Sequence, residues 1–258
     1  MDMPVNSFKR ALASGATPYG VWLVSGAPAT AEALGSAGFD FLVVDTEHTP
    51  IDPPQVSDIL RTIAGTPASA IVRPPWNDMV MIKRLLDIGT QSFLIPYVQD
   101  EAEAKAAVEA TRYPPHGMRG FASAARSSRF GRVKDYHTRA AEELCVLLQV
   151  ETTHAMGNLE AIAGVEGVDG IFIGPGDLSA DMGRLGQPGH PEVDEAVRDA
   201  IRRIRACGKA PGVLTGDEKL ARGYVEAGAL FVAVGSDTGL LVKGSEQLAQ
   251  RFKGGAGA

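Results

Sequence analysis

Short apolar runs recur along the chain, and longer segments of amphipathic spacing separate them. The runs are GVWLV (20–24), FLVVD (41–45), SAIVR (69–73), SFLIPY (92–97), LCVLLQVE (144–151), GIFIG (170–174), PGVLT (211–215) and LFVAVG (230–235). They are nearly continuous in apolar residues rather than alternating, which suits parallel strands covered on both faces. The segments PATAEALGSAG, SDILRTIAG, MVMIKRLLDIG, DEAEAKAAVEATRY, THAMGNLEAIAG, EVDEAVRDAIRRIRACG and GDEKLARGYVEAG read as helices. Several close on glycine, and Asp and Glu crowd their first turns, where they complement the helix dipole. Eight strands alternating with helices predict an α/β fold, a (β/α)8 TIM barrel occupying residues 1–258 as one domain. A doubly wound open sheet would need G-x-G-x-x-G after its first strand, and that position holds SGAPAT.

Three segments fall outside this alternation. MDMPVNSFKRALASG reads as a short amphipathic helix, capped near Asn6 or Ser7 and stopped at Gly15. The sequence after Gly235 reads as a further helix that frays into GGAGA. The long gap from Tyr97 to Leu144 holds a helix and then PPHGMRGFASAARSSRFGRV, an irregular insertion of the kind that carries function.

Composition narrows the class of partner. The chain is 45% hydrophobic and 22% charged, which argues for a folded globular protein and against disorder. A net charge of −6, with no long run of Lys or Arg, argues against a nucleic-acid partner. Cys145 and Cys207 are too few and too far apart for a disulfide framework or a Cys-rich zinc site. The N-terminus lacks the apolar centre of a signal peptide, and no apolar stretch is long enough to span a bilayer. The expectation is a cytoplasmic protein with no membrane partner.

A barrel of this type places its chemistry at the C-terminal ends of the strands. There stand Trp22 on the first strand, Asp45, Glu47 and His48 after the second, and Arg73 on the third. The fifth carries Gln149 and Glu151, the sixth runs into GPGD with Asp177, the seventh offers Leu214 and Thr215, and the eighth ends at Gly235, Ser236 and Asp237. Glu151 and Asp177, carboxylates on neighbouring strands, suit a hard divalent cation that leaves positions open for substrate. As caps, Glu151 would serve the helix near Thr152 and Asp177 the turn before Leu178; their pairing on adjacent strands favours the metal. Arg73 suits a substrate carboxylate or a developing oxyanion, or else an internal ion pair with Asp45 or Glu47. His48 is either a general base or a solvent-facing loop histidine. No strand ends in lysine, so Schiff-base chemistry is not expected.

GFDFLVVDTEHTP, AIVRPPW, LDIGTQSFLIPYVQ, YPPHGMRGFASAARSSRFG, LLQVET, GIFIGPGDLSADMG and LFVAVGSDTGLL together resemble the HpcH/HpaI aldolase family, the class II pyruvate aldolases. The motifs fall in order across nearly the whole chain. The resemblance implies aldol cleavage or condensation of 4-hydroxy-2-oxo acids. The products would be pyruvate or a hydroxypyruvate-like acid, and an aldehyde such as succinic semialdehyde or a sugar-acid semialdehyde. It implies a divalent metal (Mg²⁺, Mn²⁺ or Co²⁺) on Glu151 and Asp177, and His48 as holder of the basic water or hydroxide. Arg73 would steady the enolate oxygen, Gln149 would lie beside the keto acid, and the backbone at Gly174, Pro175 and Gly176 would cradle its carboxylate. Asp45 and Glu47 would orient His48 and Arg73. The aldehyde would lie over the metal near Trp22, Leu214 and the 121–130 loop, where Arg126 would either meet an acidic one or stand as a solvated or interface arginine.

The resemblance also pairs the histidine with Asp87. That residue ends a helix returning to the bottom of the barrel, so it is expected to serve a neighbouring subunit. A homohexamer, a trimer of dimers with exchanged C-terminal helices, is implied with it. Thr46 and the loop GPGD depart from commoner family residues without removing a chemical group. Two other readings stand beside the aldolase. One is a lyase of acyl-CoA thioesters, which would need basic residues for CoA phosphates that the mouth scarcely shows. The other is a non-catalytic barrel that binds a keto acid, against which the intact His48, Arg73, Glu151 and Asp177 set argues.

Overall fold

The computed structural model describes residues 1–253. Eight strands form the predicted closed barrel: β1 (Tyr19–Leu23), β2 (Phe41–Asp45), β3 (Ser69–Arg73), β4 (Ser92–Ile95), β5 (Cys145–Val150), β6 (Gly170–Ile173), β7 (Ala210–Leu214) and β8 (Phe231–Ser236). Each pairs in parallel with the next, and β8 closes on β1. Period-two alternation divides the apolar residues between two cores. Trp22, Phe41, Val43, Ile71, Leu147, Phe172 and Phe231 fill the barrel, while Leu42, Val44, Val72, Leu148 and Ile173 face the surrounding helices.

The N-terminal helix Ser7–Ala13 plugs the floor of the barrel. The Asn6 side chain caps it by accepting from Lys9 N–H at 3.0 Å. Phe8 enters the barrel edge-on to Phe41 and Phe231, with ring centroids 5.3 and 5.7 Å away. Asn6 also donates to Ser92 Oγ at 3.0 Å, tying the plug to the start of β4. Phe8→Ala is expected to cost about 3 kcal/mol through lost burial and an unfilled cavity. A urea midpoint lowered accordingly, with activity per folded molecule unchanged, is the expected measurement.

Several boundaries differ from the sequence reading for local reasons. The helix expected from Ser57 starts a turn earlier, Pro53–Ile63, because Pro53 and Pro54 occupy the first helical positions, where no N–H is needed. The helix expected over residues 153–164 is two short ones, Thr153–Gly157 and Leu159–Gly164, meeting at Asn158. The 121–130 loop, expected above the reactive mouth, lies instead at the floor of its own barrel. Arg126 Nη1 donates to Ile88 O at 2.8 Å, in the turn that precedes β4.

Helix Asp237–Lys253 follows β8 directly. Asp237 anchors it by accepting Val24 N–H at 3.0 Å and Ser25 N–H at 3.1 Å, so this carboxylate is structural and not a mouth group. Every residue from Gly239 to Lys253 is exposed, including Leu240, Leu241, Val242, Leu248 and Phe252. The GGAGA terminus lies outside the described residues. Among the described residues no helix is long and apolar enough to cross a membrane.

Candidate active site

β2 and β3 deliver one half of the mouth. Their register sets Asp45 opposite Arg73 at the C-terminal ends of both strands. Arg73 Nε and Nη2 donate to Asp45 Oδ1 and Oδ2 at 2.9 and 2.8 Å, a bidentate pair. Arg73 Nη1 lies 2.7 Å from Glu47 Oε2, but off the hydrogen-bond axis, so that buried oxygen has no hydrogen-bond partner. The buried Trp22 ring lies beside the guanidinium, 5.2 Å from its carbon. Burial opposes the charge on Arg73. The hydrogen bonds and charge of Asp45, with Glu47 and Glu151, nevertheless hold its pKa above the ordinary value. The ion-pair reading of Arg73 is therefore correct for both acids, and it leaves the cation rigid at the mouth. Burial also pushes the Glu47 carboxyl up, against the pull of Arg73 and His48. The His48 ring is solvent-facing, as one reading expected, with Nε2 3.8 Å from Glu47 Oε2.

β5 and β6 deliver the other half. Gln149, and Glu151 just past the end of β5, stand two residues apart and point into the mouth, and Glu151 is only 1% exposed. Glu151 Oε1 accepts Tyr97 N–H at 3.0 Å, and Oε2 accepts the Gln149 side-chain amide. Neither candidate carboxylate is a helix cap. Thr152 Oγ1 caps the following helix by accepting Ala155 N–H at 3.1 Å, and helix Pro175–Asp181 begins at Gly174 without a side-chain cap. Asp177 is exposed in the first turn of that helix. A Cβ on residue 174 would collide with the Glu151 carboxylate and sit 3.1 Å from Gln149 Nε2, so only glycine leaves this wall open. Burial, helped by the charges of Asp177 and Glu47, outweighs the Gln149 hydrogen bond and pushes the Glu151 carboxyl up to about 7.

This arrangement fits a hard divalent cation. Two carboxylates meet there, one desolvated and short of positive charge, and Gln149 Oε1 is a buried oxygen without a partner. Among the described residues no group of three or more His, Cys, Asp or Glu gathers for a metal. A cation held by these two carboxylates would complete its shell with substrate and water.

The raised Glu151 pKa has a consequence for the metal-free protein. In the unfolded chain this carboxyl ionises near its ordinary value of 4.5, whereas the folded protein keeps the proton until about 7. Between those values the folded state binds more protons, so stability falls as pH rises, by about 3 kcal/mol in all. In EDTA, Glu151→Gln is expected to remove this loss, raising Tm above wild type at pH 8 but not at pH 4.5.

The remaining candidates divide. Leu214 is half-buried above the barrel interior. Asp87 ends helix Met79–Asp87 just before β4, so it lies at the floor and not beside its own His48. There its Oδ1 is 3.5 Å from Nη2 of the buried Arg119. Sequence reasoning missed Tyr97, whose backbone holds Glu151 from a left-handed conformation (φ 56°). Its ring stacks on Trp76 at the rim, 5.6 Å between centroids. Nothing in the sequence marked Tyr97, because its contact with Glu151 is made by the backbone N–H.

The acid-clamped arginine and the buried carboxylate stand at the strand ends of a (β/α)8 barrel, the end at which enzymes of this fold carry their active sites. The chain belongs to the HpcH/HpaI aldolase/citrate lyase family, whose model matches residues 18–244. It is 55% identical to a 4-hydroxy-2-oxo-heptane-1,7-dioate aldolase from Shigella sonnei, covering 96% of this chain and 95% of that protein. It is 53% identical to a pyruvate aldolase from Rhizobium etli, covering 98% and 99%. An HpcH/HpaI aldolase/citrate lyase family protein from Burkholderia cenocepacia superposes with a TM-score of 0.93 at 36% identity, over 96% of this chain and all of that one.

Proposed function

We propose that this protein catalyses metal-dependent aldol cleavage and condensation of 4-hydroxy-2-oxo acids. The products of cleavage are pyruvate, or a hydroxypyruvate-like acid, and an aldehyde of the succinic semialdehyde or sugar-acid semialdehyde type. The observation that carries this reading is the shared mouth of Arg73, clamped by Asp45 and Glu47, and Glu151, whose buried carboxyl is pushed up to about 7. The names of the two relatives support the same chemistry.

Glu151 and Asp177 would hold a divalent cation (Mg²⁺, Mn²⁺ or Co²⁺), which would supply Lewis acidity to the carbonyl of the 2-oxo acid. Gly176 and Asp177, in the first turn of their helix, offer backbone N–H groups without helical partners to the substrate carboxylate. Gln149 orients both Glu151 and the keto acid. In cleavage His48 accepts the proton of the C4 hydroxyl, directly or through a water. The C3–C4 bond then breaks, the aldehyde leaves, and the electron pair becomes the C2–C3 double bond of an enolate. Arg73 holds fixed positive charge against the C2 oxygen as that charge develops. Protonation at C3 completes pyruvate.

Asp87 acts on His48 of a neighbouring subunit, in a cytoplasmic homohexamer whose C-terminal helices are exchanged between barrels. Its place at the floor and the exposed apolar residues of helix Asp237–Lys253 support this arrangement. Full activity in an isolated monomer would rule it out. The reading is tested by following pyruvate release from 4-hydroxy-2-oxoheptanedioate and related 4-hydroxy-2-oxo acids with Mg²⁺. No pyruvate from any of them would remove it. His48→Ala is expected to lower cleavage by about 10²–10⁴-fold while leaving metal affinity, read by calorimetry, unchanged.

A further inference from the structure

Arg119 is a buried charge that the proposed reaction leaves unused. Its side chain is wholly buried, yet its one ion pair among the described residues is loose. Nη2 lies 3.5 Å from Asp87 Oδ1, and Nε has no hydrogen-bond partner. An arginine taken out of water on these terms is costly. Two aromatic rings offset part of that cost. The guanidinium carbon is 4.4 Å from the centre of the Tyr113 ring and 5.6 Å from that of Tyr136. Nη1 and Nη2 also donate to the Tyr136 hydroxyl, each at 3.4 Å. Burial pushes the Tyr113 phenol up to about 12, so that ring stays neutral and Asp87 is the one acid paired with the cation.

The backbone holds Arg119 still. Met118 N–H donates to Glu109 O at 3.0 Å and Arg119 N–H to Arg112 O at 2.8 Å, at the C-terminal end of helix Glu101–Thr111. A Cβ on residue 117 would collide with those same two carbonyls, so only glycine lets the segment pack this closely. Asp87 has the complementary need. It is the last residue of helix Met79–Asp87, the end at which the helix dipole disfavours a carboxylate. The Arg119 cation offsets that repulsion from one side only. Asp87 Oδ1 is buried and turned toward Arg119, whereas the side chain as a whole is 29% exposed, so Oδ2 is the oxygen that looks outward.

We propose that Arg119 is a positioning residue, which holds Asp87 Oδ1 from the interior of the floor so that Oδ2 is presented in one orientation to His48 of a neighbouring subunit. This rests on the roles proposed above for Asp87 and His48. Pyruvate release from 4-hydroxy-2-oxoheptanedioate with Mg²⁺ is measured on the full chain, with near-ultraviolet circular dichroism and oligomeric state checked for each variant. Arg119→Gln should lower kcat about tenfold with KM nearly unchanged, a coupling of the size found between residues in contact. Arg119→Lys, which keeps a charge beside Oδ1, should retain most of the rate. If the glutamine variant does not fold, Arg119→Met, of similar length and without a polar group to bury, carries the same prediction. In an Asp87→Asn background Arg119→Gln should cost nothing further. Oligomers assembled from a mixture of Arg119→Gln and His48→Ala chains should be more active than the two kept apart, because intact mouths then meet intact floors. Unchanged kcat in folded Arg119→Gln, losses that multiply in the double variant, or no gain on mixing would each overturn the proposal. A wild type that releases no pyruvate, or Asp87→Asn with full activity, would instead remove the reading on which it rests, and the proposal with it.

Discussion

Glu151→Ala is expected to lose divalent-cation binding and aldol cleavage together, the latter by about 10³-fold or more, the scale of removing a principal electrostatic element from a closed site. Asp177 alone is exposed and stands in the first turn of a helix, where solvent competes for its charge. Glu151 is the buried carboxylate, fixed at one oxygen by Tyr97 N–H and at the other by Gln149. Losing it removes a desolvated charge that Gln149 and Arg73 offset only in part. The fold should survive, because the substitution also relieves the cost of a charge held in the interior. Calorimetry with Mg²⁺, read beside cleavage rate and near-ultraviolet circular dichroism, separates the outcomes. Unchanged metal affinity in a folded variant would refute the assignment of Glu151 as ligand.

Arg73→Lys is expected to lower kcat by about 10²–10³-fold with a smaller change in KM, the loss associated with removing one donor to a developing oxyanion. Lysine keeps the charge but not the fork. Arg73 presents two nitrogens to Asp45 and a third to Glu47, and a single ammonium cannot hold both acids and still face the substrate in a fixed direction. Arg73→Ala is less informative, since it strands Asp45 and Glu47 as unpaired buried charges at about 3–5 kcal/mol. Steady-state kinetics on the lysine variant decide the matter. An unchanged kcat with raised KM would mean that Arg73 only binds the ground state.

Strand existence and order were legible because each strand is covered on both faces and so reads as an unbroken apolar run. The clamp was legible for the same reason: alternation from Phe41 through Val43 turns Asp45 inward, and from Ile71 turns Arg73 toward it. Glu151 follows Gln149 by two residues and must share its face. What stayed hidden depends on contacts far apart in sequence. Tyr97 supports Glu151 through its backbone N–H, which any residue but proline could supply, so its identity carried no signal. The 121–130 loop carries no marker of which end of the barrel it covers. Only the contact of Arg126 with Ile88, in the turn before β4, places it at the floor. Asp87 was readable as a floor residue from topology alone, yet its neighbour Arg119, thirty-two residues later, was not.

Metal, arginine and base all act on the proton at C3 of the keto acid in the proposed reaction. Pyruvate is incubated with the protein and Mg²⁺ in D₂O, and loss of its methyl proton signal is followed by nuclear magnetic resonance. Exchange at a rate proportional to protein, abolished by EDTA and absent in Glu151→Ala, is the predicted result. Exchange that persists in EDTA, or its absence with both pyruvate and hydroxypyruvate when metal is present, would contradict it.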